Sequence, residues 1–265
     1  MKLRLVCATR LSSTEFWAQS WLGRSLSLFR NELLPELAIQ FDNRERPEEG
    51  RRAEGLPSFY NRAIEMADDE TNLLFVHDDV FIHDLFLIER IREAFRLYDI
   101  VGLAGSRSDD MSQPSWALEF DGESLMPKGW QKHAQFAGAV SHHLTPLPDS
   151  RMPEPELGIY GPLSDYCTLL DGLFIAVRTK ALKKTEVKFD ERFDFHHYDI
   201  DFCRSAREKG VLIGTWPILV THGSGGAFAT EAFRVSAKNY LAKWNARAFE
   251  KALRHRPGDA SSAGS

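Results

Sequence analysis

The sequence has few cysteines, no long apolar run and no excess of basic residues. Its three cysteines, Cys7, Cys167 and Cys203, are odd in number and far apart, which argues against a disulfide framework and a CxxC metal site. We therefore expect a reducing, cytoplasmic location. No segment approaches the length of a transmembrane span, and the opening MKLRLVCATR lacks the apolar core of a signal peptide.

The charge balance argues against one class of partner. The chain carries 33 basic and 38 acidic residues, a net charge of −5. Proteins that bind nucleic acid through general electrostatic attraction show the opposite excess, so we expect no nucleic-acid partner. The 265 residues are enough for one large core.

The stretch 72–80, which reads NLLFVHDDV, is the one around which the chain is organised. Its apolar run predicts a strand buried on both faces of a parallel sheet, and His77, Asp78 and Asp79 follow where the strand leaves the sheet. Ligands of α/β proteins bind in the crevice at such positions. Two adjacent carboxylates there favour a divalent cation with a phosphorylated ligand. The alternative is that one of them caps the next helix, a position for which Asp84 is better placed.

Strands and helices alternate along the first hundred residues. The patterns predict strands at 3–8, 37–41, 73–76 and 100–104, and helices at 12–34, 57–67 and 84–98. This alternation is typical of right-handed βαβ units in a mostly parallel sheet with helices on both faces. Later segments predict a strand within 171–177, a helix at 199–209, one or two strands within 211–220 and a helix at 231–253.

The segment 107–166 has a different character, because it holds seven of the twelve prolines and shows no clear period. Long irregular segments in compact proteins are usually lids or binding loops, so we expect a partly β-structured region over the crevice.

Polar residues fall at the ends of three predicted elements: His77-Asp78-Asp79, the stretch HHYDID at 196–201, and His222. If the sheet brings these ends together, Asp79 and His222 can share one metal with phosphate oxygens. Mixed carboxylate, imidazole and phosphate ligands suit Mn²⁺, and Mg²⁺ is the second candidate.

Asp199 is the candidate base, because it begins a helix whose dipole favours the ionised carboxylate. An acid at that position is also often only structural. Asp201 is interpreted as structural, through Arg204 or backbone amides. The doublets His142-His143 and His196-His197 are not assigned as ligands, since adjacent histidines in a strand point to opposite faces.

Five segments, in order along the chain, resemble glycosyltransferases of the GT-A fold, close to the family-2-like bacterial group. GLPSFYNRAIEMA resembles the helix before the metal motif, FVHDDV an HxD form of the metal-binding DxD motif, LLDGLFIAVR the acceptor-side strand, FDERFDFHHYDIDFCRSAREKG the segment that ends in the catalytic ED motif, and WPILVTHGSGG the closing strand with its histidine. The matches span most of 7–226.

The resemblance implies a Rossmann-like α/β domain at 1–256, with a nucleotide-binding half (1–105), an acceptor-side half with an inserted loop region (106–228) and a C-terminal helix (229–256). The small, polar residues of the segment 257–265 predict a disordered tail. The resemblance also implies inverting, metal-dependent transfer of a sugar from a nucleoside diphosphate sugar, with a UDP-sugar favoured. The acceptor would be a hydroxyl of a saccharide or lipid-linked molecule in bacterial polysaccharide or glycoconjugate synthesis. The segment 107–166, with Trp116 and Trp130, would shape the acceptor site, because indole faces pack well on the C–H surfaces of sugars, although tryptophan is equally often a core residue.

Carried over residue by residue, the resemblance implies four groups of site residues. They are Asp79 and His222 at the metal; His77, Asp78, Thr9 and Asp42 around the nucleotide; Asp199 as the general base; and Asp171 and Gly172 at the acceptor. The chain departs from the family pattern at three places: His77 replaces the first acid of DxD, Tyr198 replaces the glutamate before the base, and the acid-rich loop after the second strand is reduced to Asp42-Asn43.

Other interpretations stay open. The same acids and histidines suit a metal-dependent phosphohydrolase or nucleotidyltransferase, and the departures suit a degenerate domain that only binds nucleotide-sugars or partner proteins. The last helix, rich in lysine and arginine beside Trp244 and Phe249, suits either packing on the domain or a peripheral position on the inner membrane face. A homodimer is also left open.

Overall fold

The computed structural model describes residues 1–50, 52–108, 110–120, 125–127, 135–142, 156–224 and 230–254. The strands in these ranges are β1 (Lys2–Ala8), β2 (Glu36–Gln40), β3 (Thr71–Val76), β4 (Val80–Ile82), β5 (Ile100–Gly102), β6 (Ala104–Ser106), β7 (Leu118–Phe120), β8 (Leu125–Pro127), β9 (Phe136–His142), β10 (Glu156–Ile159), β11 (Leu169–Leu170), β12 (Phe174–Val177), β13 (Ile213–Thr215) and β14 (Val220–His222). The helices are α1 (Ser13–Gln19), α2 (Trp21–Leu26), α3 (Leu56–Met66), α4 (Leu87–Ala94), α5 (Thr179–Thr185), α6 (Tyr198–Glu208) and α7 (Glu231–Arg254), with a 3₁₀ turn at Pro47–Glu49.

A six-stranded sheet in the order β13-β5-β12-β3-β1-β2 forms the centre of the molecule. All its neighbouring pairs are parallel except the two that β12 makes with β3 and β5. The last four residues of β3 are buried on both faces, as the apolar run predicts. The predicted α/β architecture, a mostly parallel central sheet flanked by helices, is confirmed.

The antiparallel direction of β12 decides what lies at the edge of the sheet. In its register with β3, Phe174 is opposite Val76, and the amide of His77 donates to the carbonyl of Leu173 at 3.0 Å. The residues that precede β12 therefore meet the residues that follow β3. A parallel β12 would have carried Asp171 and Gly172 to the opposite edge.

A second sheet, in the order β11-β6-β9-β14-β4, packs beside the first, and β10 extends it by pairing with β9. The predicted strand at 100–104 is in fact two strands, because the chain leaves the central sheet after β5 and enters the second sheet at β6. Gly138, at φ 91°, permits the close passage at this point, since a Cβ there would lie 1.9 Å from the carbonyl oxygen of Leu103.

Two helix predictions need correction. The helix predicted at 12–34 is two short helices, since Ser20 has extended backbone and caps α2 by accepting from the amide of Gly23 at 2.8 Å. The capping box of Ser12 and Glu15 is present. Asp84 does not cap α4 as predicted, because it accepts from the amide of Phe86, before that helix begins.

The last helix, α7, packs on the domain. Tyr240 and Trp244 are fully buried, and Lys243 lies inside the protein beside Asp190 and Asp201, at 2.8 and 2.6 Å. Asp201 is thus structural, as predicted, although its ion pair is with Lys243 rather than Arg204. Within the described ranges, no helix has the length and apolar character needed to span a bilayer.

Candidate active site

The carboxyl ends of β1, β2 and β3 lie at one edge of the central sheet because the three strands are parallel. Thr9 follows β1, and its hydroxyl donates to Asp78 Oδ2 at 2.5 Å. Burial raises the pKa of Asp78, and this hydrogen bond opposes the rise. Thr9 and Asp78, both predicted to face the nucleotide, are therefore in direct contact.

Asp42 follows β2 at the same edge, in a left-handed conformation with φ 55°. The amide of Asn43 donates to the carbonyl of Thr9 at 2.9 Å, which ties the two strand ends together. The Asp42 carboxylate pairs with Arg44 at 2.6 Å and Arg46 at 3.4 Å. Asp42, which is predicted to lie near the nucleotide, is thus at the expected edge of the sheet. The two arginines beside it were not predicted from the sequence.

The short strand β4 brings His222 to Asp79. It begins directly after Asp79 and pairs antiparallel with β14, so that His222 lies opposite Val80. The resulting distance between His222 Nε2 and Asp79 Oδ2 is 3.4 Å. Residues 143 positions apart in the sequence are therefore neighbours, as the metal hypothesis requires.

His77, Asp79 and His222 form a group that can hold a metal ion. One ligand atom from each lies within 4.8 Å of the other two. Asp79 Oδ1 is buried and makes no hydrogen bond to the described residues, so this acceptor atom can bind a cation. Two imidazoles and a carboxylate are suitable ligands for a divalent cation, and these three residues fit one.

The ionisation of this group also suits a cation. Burial opposes the charge on Asp79, but its hydrogen bond with His222 and the nearby imidazoles outweigh burial, so the pKa of Asp79 is lowered. Burial likewise opposes protonation of His222, yet Asp79 prevails and the pKa of His222 is raised. Each group thus stabilises the charge of the other, and a cation would take the place of the His222 proton.

Tyr198, the first residue of α6, links this group to the residues before β12. Its hydroxyl lies 2.8 Å from His77 Nε2 and donates to the carbonyl of Gly172 at 2.9 Å. Gly172 must be glycine here, because a Cβ would lie 2.5 Å from the Tyr198 hydroxyl oxygen. Burial raises the pKa of Tyr198 well above its ordinary value, so the hydroxyl keeps its proton.

Asp199 stands next to Tyr198 and accepts from the amide of Gly172 at 2.8 Å. Burial, followed by the charge of Asp171, raises the pKa of Asp199 to about 7. The helix dipole was expected to favour the ionised form, but burial and the second carboxylate outweigh it. A carboxyl group with a pKa near 7 is a stronger base than an ordinary aspartate and is still largely ionised above neutrality.

Of the residues predicted at the acceptor, Asp171, Gly172 and Trp116 lie together. Trp116 Nε1 donates to Asp171 Oδ2 at 3.0 Å, and the amide of Leu173 donates to Asp171 Oδ1 at 3.0 Å. The Trp116 ring is buried and forms a T-shaped contact with Tyr160, at 5.5 Å between the ring centroids, so little of its surface is left for a sugar. Trp130 lies outside the described residues.

Solved structures similar to this chain include TarS of S. aureus. The TarS fragment 1–349 in complex with UDP has a TM-score of 0.46 and 14% identity, over 94% of this chain and 72% of that chain. A protein from STIV has a TM-score of 0.42 and 11% identity, over 81% of each chain. No protein-family model and no curated protein matches the sequence. Likeness at this level assigns no residue, so the site rests on its own geometry.

Three neighbours of the site were not assigned from the sequence. Tyr198 was noted only as a departure from the family pattern, Ser224 lies 3.1 Å from His222 Nε2, and the His142 ring lies 5.6 Å from that of His222. The adjacency of Tyr198 to Asp199 could have indicated the first. The pairing of β9 with β14, which places His142 opposite His222, has no local sequence signal.

Proposed function

We propose that this protein is a GT-A-type glycosyltransferase that moves a sugar from a nucleoside diphosphate sugar to an acceptor hydroxyl, with inversion and with a divalent cation. The observation that carries the proposal is the convergence of two chemically distinct groups at one sheet edge. A group that can hold a cation, made of His77, Asp79 and His222, is joined through Tyr198 and Gly172 to Asp199, a carboxylate suited to remove a proton.

The nucleotide side of the proposal places the donor over the ends of β1, β2 and β3. Thr9 and Asp78 would contact the ribose, and Asp42 would contact the base. His77, Asp79 and His222 would hold the cation, which supplies positive charge to the diphosphate as it leaves. Mn²⁺ is the preferred ion because imidazole binds Mn²⁺ better than it binds Mg²⁺. A UDP-sugar is the donor to test first.

On the acceptor side, the proposal contains one proton transfer. Asp199 would take the proton of the acceptor hydroxyl while that oxygen attacks the anomeric carbon from the face opposite the leaving diphosphate. Asp171 and Gly172 would border the acceptor. Asp171 also adds a negative charge that raises the pKa of Asp199, and thereby its basicity. The acceptor is a saccharide or lipid-linked hydroxyl in this proposal.

The test is a thermal-shift screen of nucleoside diphosphates and nucleotide-sugars with and without Mn²⁺. We expect stabilisation by a uridine diphosphate only when Mn²⁺ is present, and we expect Asp79→Asn to lose it. Binding at [L] one hundred times Kd stabilises by about 2.7 kcal/mol, which is readily measured. Asp84→Asn is a matched control, because Asp84 accepts from the amide of Phe86 outside the site.

Product analysis then separates the proposal from its rivals. Transfer to an acceptor supports the proposal. Hydrolysis that no acceptor changes would instead indicate a phosphohydrolase, and Mn²⁺-dependent binding without any turnover over a broad acceptor panel would indicate a nucleotide-sugar-binding domain.

A further inference from the structure

Tyr198 stands where the family pattern has a glutamate, and the hydrogen bonds around it are directional. A tyrosine hydroxyl has one proton and can accept through its lone pairs. The carbonyl oxygen of Gly172, 2.9 Å away, can only accept, so the proton of Tyr198 is directed to it. The oxygen of Tyr198 is then left to accept from His77 Nε2 at 2.8 Å.

This direction determines the tautomer of His77. A neutral imidazole carries its proton on one nitrogen and a lone pair on the other. If Nε2 donates to Tyr198, the lone pair is on Nδ1, the atom left to reach a cation. Metal-bound histidines are commonly oriented by such a bond from their second nitrogen.

We propose that Tyr198 is a positioning residue for the cation site: its hydroxyl holds His77 in the Nε2–H tautomer and leaves Nδ1 for the cation. This inference rests on the proposed function for the presence of the cation, but the tautomer belongs to the protein alone. It also gives a physical reason for tyrosine rather than glutamate at this position. A hydroxyl donates to Gly172 and accepts from His77 without adding a third carboxylate beside Asp171 and Asp199.

The first measurement needs no variant of Tyr198 and no metal. Long-range ¹H–¹⁵N correlation spectra of the histidine-labelled full chain at pH 8 distinguish the two neutral tautomers, and loss of signals in His77→Gln assigns the ring. We expect the Nε2–H pattern for His77. An Nδ1–H pattern would overturn the proposal, whatever the activity of the protein.

The second measurement compares Tyr198→Phe with Tyr98→Phe. Tyr98 is also buried, and its hydroxyl lies 3.2 Å from Ser164 Oγ, outside the proposed site. We expect Tyr198→Phe to shift His77 toward a tautomer mixture and to weaken the binding of Mn²⁺ alone by about tenfold or more, whereas Tyr98→Phe changes neither.

Equal Mn²⁺ affinity in the wild type and Tyr198→Phe would overturn the positioning role, as would an equal loss in Tyr98→Phe. Absence of Mn²⁺ binding in the wild type would overturn it too. If the tautomer and the Mn²⁺ result are as expected but no sugar is transferred to any acceptor, the proposed function fails and the inference about Tyr198 stands.

Discussion

At the scale of single residues, the raised pKa of Asp199 links its proposed catalytic role to a loss of folding stability that can be measured as the pH rises. Its carboxyl has a pKa of about 7 in the folded protein, above its ordinary 3.8. The unfolded chain therefore releases this proton at lower pH than the folded chain does. The sign follows: the contribution of Asp199 to stability falls as pH rises from about 4 to about 7.

We accordingly predict opposite effects of Asp199→Asn on stability and activity. Asparagine cannot ionise, and its side-chain oxygen can still accept from the Gly172 amide. The variant should gain roughly 2 kcal/mol over the wild type between pH 5 and pH 8, allowing for partial solvent access. Its transfer rate should fall by at least about 10² while nucleotide binding is kept.

Chemical denaturation at the two pH values and assays of transfer and of nucleotide binding check this prediction. The wild type should itself show a rate that rises through a pH of about 7, as Asp199 loses its proton. Normal turnover in Asp199→Asn would rule out Asp199 as the base. A stability difference that does not grow between pH 5 and pH 8 would show that the carboxyl is not perturbed as the structure indicates.

At the scale of elements, α7 is fastened to α6 by a buried ionic cluster. Lys243 lies between Asp190 and Asp201, and Trp244 Nε1 also donates to Asp201, at 2.8 Å. Burial raises the pKa of the fully enclosed Asp201, with Lys243 as the main opposing influence. Asp201 is two residues from Asp199, so this cluster fixes the helix that carries the proposed base.

We predict that Lys243→Met lowers the free energy of unfolding by about 3–5 kcal/mol, because it leaves a buried carboxylate uncompensated. Lys188→Met is the matched control. Lys188 pairs with Glu65 at 2.7 Å, but both side chains are more than half exposed. Its loss should change the stability by less than about 1 kcal/mol. Urea denaturation measures both; similar effects in the two variants would contradict the buried cluster.

The cavity beside this cluster is separate from the proposed active site. Its volume is about 340 Å³, and Asp190, Lys209 and Lys243 are among the residues that line it. None of the residues predicted to bind nucleotide, metal or acceptor belongs to its lining. The proposed ligand-binding edge is therefore distinct from this cavity.

Some of these elements can be predicted from the sequence and others cannot, and the reasons are physical. The apolar run of β3 followed by acids is a local signal, so both the buried strand and the site edge could be predicted. The direction of β12 could not, because an apolar run has the same composition in a parallel and an antiparallel strand. The ion pair of Lys243 with Asp201 joins segments far apart in the chain, and nothing near either residue indicates the other.

At the scale of the whole molecule, the central sheet is assembled from strands of both proposed halves of the chain. β12, from the proposed acceptor-side half, lies between β3 and β5 of the proposed nucleotide-binding half, and β13 forms the edge beyond β5. In a fragment that ends at residue 105, β3 and β5 would lose the strand that joins them. The two proposed halves are therefore expected to fold together rather than separately.

We predict that fragment 1–105 does not fold and does not bind a nucleoside diphosphate, because its apolar strands β3 and β5 would be open to water on one side. The intact chain, as the control, should unfold in one cooperative transition. Far-ultraviolet circular dichroism and hydrogen exchange of the fragment provide the measurement. Protected amides in β1 and β3 of the fragment would show that the nucleotide half is an independent unit, contrary to the interleaved sheet. Mixing with fragment 106–265 should restore protection only if β12 can insert between β3 and β5.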